Sequence, residues 1–333
     1  MKAKILTATA LAILILTHSS PAGPLFGPRS DFKVTVTVVD DKNIPVPGAD
    51  IGFSWGRIGG SKPDTDSVHK LADKNGTAEF TGVTKYNQYA YGADKKGFYS
   101  VPGIDDQFTN SVNGRWQPCP QSLTIVIKPI KNPVPMYAKK IITHLPELGK
   151  PCGYDLETGD WVAPYGKGVK ADFEFTGNGS IESDKNYTGT LTLRLPGDNN
   201  GIHTYDYQVA DLRSELKMPY EAPTNGYASS WTWQDRRTTE NKPFATSKFV
   251  DESNSDRGFI FRVRTALDSQ GNMVRANYGK IHGPVVFYPK IATGKWVVGI
   301  NYYFNPDRTL NLEFDPKHNL FTNLKSDERV YDP

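Results

Sequence analysis

The sequence predicts an all-β protein of two modules, an immunoglobulin- or transthyretin-like sandwich followed by a larger antiparallel β-sandwich. Three observations predict it. Aromatic residues make up 12% of the chain, 17 of them Tyr, and they stand among 30 Gly and 24 Pro. That is a composition of strands and turns. Apolar and polar residues alternate with period two in several runs, and turn signals recur every 8–12 residues. Only QVADLRSELK (208–217) carries a helical pattern, and Pro219 stops it.

The first module begins with FKVTVTVVD (32–40), which places Phe32, Val34, Val36 and Val38 on one face and Lys33, Thr35 and Thr37 on the other. This is the period of a half-buried strand. Strands are expected next at Asp50–Trp55, Val68–Leu71 and Thr77–Phe80, then over Tyr86–Ala93, Lys95–Tyr99 and Ser122–Pro129. The stretch LADKNGTAEF (71–80) could be read as an acidic calcium loop. With Gly76 at the sixth position, however, Leu71 falls at the first and Gly82 at the twelfth, and neither offers a side-chain ligand. Asp and Asn before Gly suit a tight hairpin, and a hairpin is the reading adopted.

VTVVDDKNIPVPGADI, LADKNGTAEF and YAYGADKKGFYS, taken together, resemble the carboxypeptidase regulatory-like and related transthyretin-like modules. In that family a G-x-P-V-x-G-A turn is followed by a T-D-x-N-G-x-a-x-F hairpin and an aromatic K-x-G-Y strand. Here Asn43 stands for the usual Gly, Ala72 for the usual Thr and Phe98 for the usual Tyr. The resemblance covers residues 32–128. It implies a spacer or binding platform with no catalytic residues of its own.

Residues 129–150 hold four prolines and read as an extended linker, within which MYAKKIITHLPELG suggests a short docked strand. The second module spans 151–324, with a loose tail over 325–333. Its strands are expected at Val169–Thr176, Tyr187–Leu195, Phe259–Leu267, Lys280–Tyr288, Lys295–Phe304 and Thr309–Phe314, with hairpin turns at 197–201 and 268–272. In FIFRVRT the alternation sets Phe259, Phe261 and Val263 against Arg262 and Arg264.

At the N-terminus, Lys2 and Lys4 precede an apolar run from Ile5 to Leu16 and the small residues Ser19, Ser20 and Ala22. Residues 1–22 thus read as a cleavable export signal, too short to anchor in a bilayer. A periplasmic or secreted location follows, with no membrane span after cleavage. Setting aside Lys2 and Lys4 leaves 37 basic against 36 acidic residues, which is no footprint for nucleic acid. In an exported chain the two cysteines, Cys119 and Cys152, are expected to form one disulfide.

No metal-spaced histidine pair, nucleophile elbow or phosphate loop is present, so no cofactor and no metal site is expected. The aromatic residues in loops are the strongest candidates for binding. Trp161 and Tyr165 lie in GYDLETGDWVAPYGKG, and Tyr227, Trp231 and Trp233 precede Asp235 and Arg236 in GYASSWTWQDRR. Exposed rings beside hydrogen-bonding side chains suit sugar faces, although tryptophans in such positions more often plug the sandwich core or pin loops over it. RANYGKIHGP, with Arg275, Tyr278, Lys280 and His282, reads as a polar strand face. The expected function is an exported non-catalytic binding or structural protein, with a glycan or another envelope protein as partner. A glycan hydrolase with carboxylates converging in the second module, and an adhesion or assembly module, are the alternatives.

Overall fold

A computed structural model describes residues 26–56, 65–239, 247–251 and 257–333; the expected export signal lies outside them. The described chain is all-β, with 23 strands and one five-residue helix.

Eleven strands build the first module: β1 (Phe26–Val39), β2 (Asp50–Gly56), β3 (Thr65–Leu71), β4 (Thr77–Tyr86), β5 (Gln88–Asp94), β6 (Phe98–Tyr99), β7 (Val101–Gln107), β8 (Asn110–Val112), β9 (Arg115–Gln117), β10 (Gln121–Val126) and β11 (Lys128–Pro129). One sheet runs β10-β1-β9-β8 with β4 also on β1, and the facing sheet runs β3-β2-β5-β7. Phe32, Val34, Val36 and Val38 all point inward, as the alternation predicts, and meet Ile51, Phe53, Tyr89 and Tyr91 from the other sheet. A chain of ring contacts runs through Phe80, Phe53, Tyr89, Phe108 and Trp116 at centroid distances of 4.6–5.6 Å. These spacings suit offset or tilted aromatic packing.

The hairpin at 73–76 forms through its own Asp. Asp73 Oδ1 accepts the amides of Asn75 and Thr77, both at 2.9 Å, and the Thr77 amide leads in holding this carboxyl below its ordinary pKa. Gly76 has φ +75°, and a Cβ there would stand 2.5 Å from the Val38 carbonyl oxygen. Turn chemistry accounts for the geometry of the loop.

The second module contains β12 (Val134–His144), β13 (Cys152–Asp155), β14 (Asp160–Trp161), β15 (Phe173–Ser183), β16 (Asn186–Arg194), β17 (Gly201–Asp206), the helix α1 (Val209–Arg213), β18 (Ser230–Thr239), β19 (Ser247–Asp251), β20 (Arg257–Leu267), β21 (Met273–Lys290), β22 (Lys295–Asn305) and β23 (Phe314–Asn319). One six-stranded sheet runs β17-β20-β21-β22-β12-β23 and the other β14-β13-β15-β16-β18-β19. Between them lies a core of Phe173, Phe175, Leu191, Leu193, Phe261, Phe287, Trp296 and Tyr302. The first sheet is covered on its other face as well, where Tyr207, Met218, Tyr278 and Leu312 form a second cluster and Met136, Tyr303 and Phe314 a third.

Part of the expected linker belongs to this module. β12 pairs with β22 over eight residues, from Tyr137–Phe304 to His144–Val297. Met136 and Ala138 are buried on one face of the strand and Ile141 on the other, so burial on both sides overrides the prolines. The tail after Lys325 packs down too: Glu328 meets Lys139 at 3.0 Å, and Val330 lies on the Met136 cluster.

The disulfide expectation is corrected: both cysteines are free. Cys152 is buried in β13 of the second module, with Sγ 3.6 Å from the Glu147 and Lys150 carbonyl oxygens. Cys119 lies between β9 and β10 of the first. The two thiols thus lie in different sandwiches, separated in sequence by β12.

Candidate functional site at the junction of the two sandwiches

The predicted aromatic set divides once folded. Trp161 is only 7% exposed, edge-on to Tyr154 at 5.3 Å and Phe175 at 5.8 Å. Trp231 and Trp233 do share one face of β18, as their spacing predicts, but it is the inner face, opposite Leu193 and Leu191. Trp233 is 4% exposed, and both indoles pack on Phe259. Trp231 is partly buried, with the Arg257 guanidinium 5.7 Å from its ring. Asp235 is buried on the same face, while Arg236 points out. Tyr227 donates its hydroxyl hydrogen bond to the Pro223 carbonyl oxygen at 2.8 Å and carries Arg262 at 4.4 Å over its ring. Tyr165 remains on the surface, donating to Glu147 Oε2 at 2.5 Å, a bond that pushes its pKa up to about 12. Core rings such as Trp161 and Trp233 present no face to a sugar. The aromatic residues therefore form no shared platform.

The polar platform expected on β21 is also corrected. Tyr278, Lys280 and His282 share a face, but the segments carrying Tyr207, Met218 and Leu312 cover it, and all three are buried. Lys280 is fully buried and its Nζ has no hydrogen-bond partner among the described residues; the Tyr303 ring lies 5.0 Å away. Desolvation pulls its pKa down to about 7. Desolvation, with Lys217 and Lys280 nearby, also lowers His282 to about 3. Its Nδ1 lies 3.8 Å from Asp332; with the ring neutral at pH 7, that approach is not an ion pair.

Charge and hydrogen bonding concentrate where the two modules meet. Glu313, 1% exposed, accepts the Tyr99 hydroxyl at 2.8 Å and the amides of Lys131 at 2.8 Å and Asn132 at 2.6 Å. Lys128, at the exit of the first module, donates to Asp211 Oδ1 at 2.6 Å and to the Leu216 carbonyl oxygen at 2.8 Å. Asp211 also accepts the Tyr205 hydroxyl at 2.8 Å. Glu215 and Ser100 exchange bonds: the Ser100 amide donates to Glu215 Oε2 at 3.0 Å, and the Glu215 amide to the Ser100 carbonyl oxygen at 3.1 Å. Lys131 Nζ sits 3.5 Å above the Tyr220 ring, whose hydroxyl donates to the Pro129 carbonyl oxygen at 2.6 Å.

Buried charges with this many partners are strongly destabilising to break, because each broken bond leaves an uncompensated charge behind. The connection is a fixed joint rather than a free tether. Sequence reasoning missed Glu313 and Lys128 because nothing in the composition of TLNLEF or IVIKPI distinguishes a junction carboxylate or ammonium from a solvated one.

The strands at the ends of each module have a common arrangement. β1 runs parallel to β10 in continuous register from Val34–Gln121 to Val39–Val126. β12 likewise runs parallel to β23, at Val134–Phe314 and Met136–Asn319, with Asn319 bridging the irregularity through both its side-chain bonds to the Ala138 backbone. Parallel neighbours have their N-terminal ends on the same side. The chain therefore enters each sandwich at one end of the pair and leaves at the other.

No family model matches the chain, and no curated protein matches it. Among solved structures, the chain resembles a streptococcal ancillary pilin at 9% identity and TM-score 0.23, covering 85% of this chain and 61% of that one. It resembles BcpA, the major pilin subunit of Bacillus cereus, at 11% identity and TM-score 0.21, covering 85% and 100%. For the shaft pilin SpaA from Lactobacillus rhamnosus GG the values are 10%, 0.21, 84% and 95%. The chain spans about three-fifths of the streptococcal protein. At these TM-scores the overlaps do not define a shared fold.

Proposed function

We propose that this chain is an exported, non-catalytic adhesion or assembly protein whose task is to hold a fixed span under tension. The single observation that carries this reading is the parallel pairing of first and last strands, in continuous register from Val34–Gln121 to Val39–Val126 in the first sandwich and at Val134–Phe314 and Met136–Asn319, with a break between, in the second. Pulling on the ends of such a pair slides the strands past one another, so the rung hydrogen bonds resist together. In an antiparallel terminal hairpin the same pull would open the bonds one at a time. The buried ionic joint at Lys128–Asp211 and around Glu313 supports the same reading, because it would pass load between modules without a slack segment. The signal-like N-terminus supports export. Among the described residues no helix is long and apolar enough to cross a membrane.

Stretching the folded chain between its two ends by atomic force microscopy tests the proposal. Two discrete unfolding events are expected, one per sandwich, with no extension at low force beforehand. Continuous low-force extension of either module would remove the basis for a tension-bearing role.

A further inference from the structure

Five non-glycine residues among those described have positive φ, and three are Asn, for which that conformation is common. The other two are Arg264 (φ 56°) and Arg308 (φ 68°), and both line one pocket of about 230 Å³ in the second module. Glu157, Lys170, Arg275 and Asn277 complete most of its wall. Two strained arginines converging on one cavity motivate a functional hypothesis.

The sequence places Arg264 on the same face of β20 as Arg262. A register shift between Val263 and Ala266 breaks the ladder there, and such a bulge re-aims a side chain. Arg264 instead makes a two-pronged contact with buried Asp172, both bonds at 2.8 Å, with Glu157 at 2.6 Å and the Phe304 ring 4.9 Å away. Asp155, buried behind it, accepts the amides of Val169 at 3.0 Å and Lys170 at 3.1 Å. Burial opposes its ionisation, but the amides of Thr158, Val169 and Lys170 outweigh that and keep the carboxyl below its ordinary pKa. One side of the pocket is therefore rigid.

Three other cations of the wall, Lys170, Arg275 and Arg308, have no carboxylate partner among the described residues, whereas Arg264 is already engaged. The four cations of the wall face Glu157 and, behind it, Asp155 and Asp172, leaving one positive charge in excess. Asn277 adds a polar amide, its Nδ2 anchored on the Asn305 carbonyl oxygen at 3.1 Å. Arginine forks match carboxylates and phosphates alike, and one excess positive charge suits the single charge of a carboxylate better than the heavier charge of a phosphate. The pocket is smaller than the roughly 300 Å³ at which drug-sized ligand sites begin, and its wall carries no aromatic ring for a sugar face to stack on.

We infer that this pocket binds a single carboxylate presented by an acidic peptide segment of a partner protein, with Arg275 and Arg308 as its ligands and Arg264 as the fixed floor. The choice of a protein partner rests on the assembly reading above; the preference for a carboxylate does not.

The test is calorimetric titration of the full chain with an acetylated, amidated tetrapeptide containing one Asp, its Asn counterpart, galacturonate and inorganic phosphate. Saturable binding of the Asp peptide is expected, with none of the Asn peptide. It should weaken at least about tenfold in R275Q/R308Q, the loss expected for charged hydrogen bonds, and weaken with added salt. An unchanged melting temperature of that variant confirms that only the site was altered. Tighter binding of galacturonate overturns the protein partner, and tighter binding of phosphate overturns the carboxylate. Absence of saturable binding by any probe overturns the site, whatever the stretching experiment returns.

Discussion

Asp residues that bond the backbone two and four positions ahead recur throughout the chain. Asp40 bonds the amides of Lys42 and Ile44, Asp73 those of Asn75 and Thr77, and Asp268 those of Gln270 and Asn272. Each fixes a turn between strands locally, and acidic runs that invite a metal reading are accounted for in this way. Gly76→Ala is expected to destabilise the first module by about 2 kcal/mol, from left-handed strain and the contact with the Val38 carbonyl oxygen. Denaturant titration checks it, and an unchanged midpoint would argue against the hairpin geometry. The thiols give a second residue-scale prediction. Thiol titration should count two free groups, Cys119 reacting in the native state and Cys152, with its pKa raised by burial, only on unfolding.

Lys280 and His282 make a pH signature. In the folded state Lys280 titrates near 7 against an ordinary 10.5. Between those values the unfolded chain binds more protons, so stability rises with pH and the full penalty applies below about 7. His282 titrates near 3 when folded and 6.5 ordinarily, so stability also falls as pH drops from 6.5 toward 3. Lys280→Met should stabilise the protein at pH 6 by several kcal/mol and by much less at pH 10. Equal effects at both pH values would mean that Lys280 is not desolvated.

At the scale of the element, how much is legible depends on whether a strand is patterned by its own core. β1 could be read to the residue because Phe32, Val34, Val36 and Val38 face one sandwich and the polar positions face out. β7, β8 and β9 could not, since Pro102, Gly103 and short polar runs leave no period to detect. β12 is anticipated as a short docked strand in MYAKKIITHLPELG, but its start at Val134 and its place inside the sheet are masked by the prolines around it. The helical pattern at 208–217 shrank to Val209–Arg213, and the expected strand at 309–314 became the loop that carries Glu313 to the junction. The tryptophan pair was placed correctly on one face of a strand, but spacing cannot say whether that face is covered. Within the second sandwich, the sheet holding β15 and β16 makes room for the Trp296 indole with glycine: a Cβ at Gly189 would approach it to 2.2 Å. Gly189→Ala is expected to cost about 1–3 kcal/mol by overpacking. A shift in tryptophan emission should accompany that loss, and an unperturbed indole would contradict the packing.

Across the whole molecule, the two sandwiches act as one body through charges that neither could bury alone. Lys128→Met leaves Asp211 without its cation and is expected to cost about 3–5 kcal/mol, as breaking a buried pair does. Differential scanning calorimetry should show one cooperative transition in the unaltered chain and two in Glu313→Ala. Two transitions already present in the unaltered chain would mean that the joint does not couple the modules.

The measurement closest to the central claim varies the direction of pull on the first module. With Cys119 and Cys152 replaced, cysteine handles at Arg29 and Ile130 load β1 and β10 in shear, while handles at Asp41 and Ile130 draw apart two ends lying on the same side and unzip the pair. A markedly higher unfolding force is expected in the first geometry. Equal forces in both directions would contradict it.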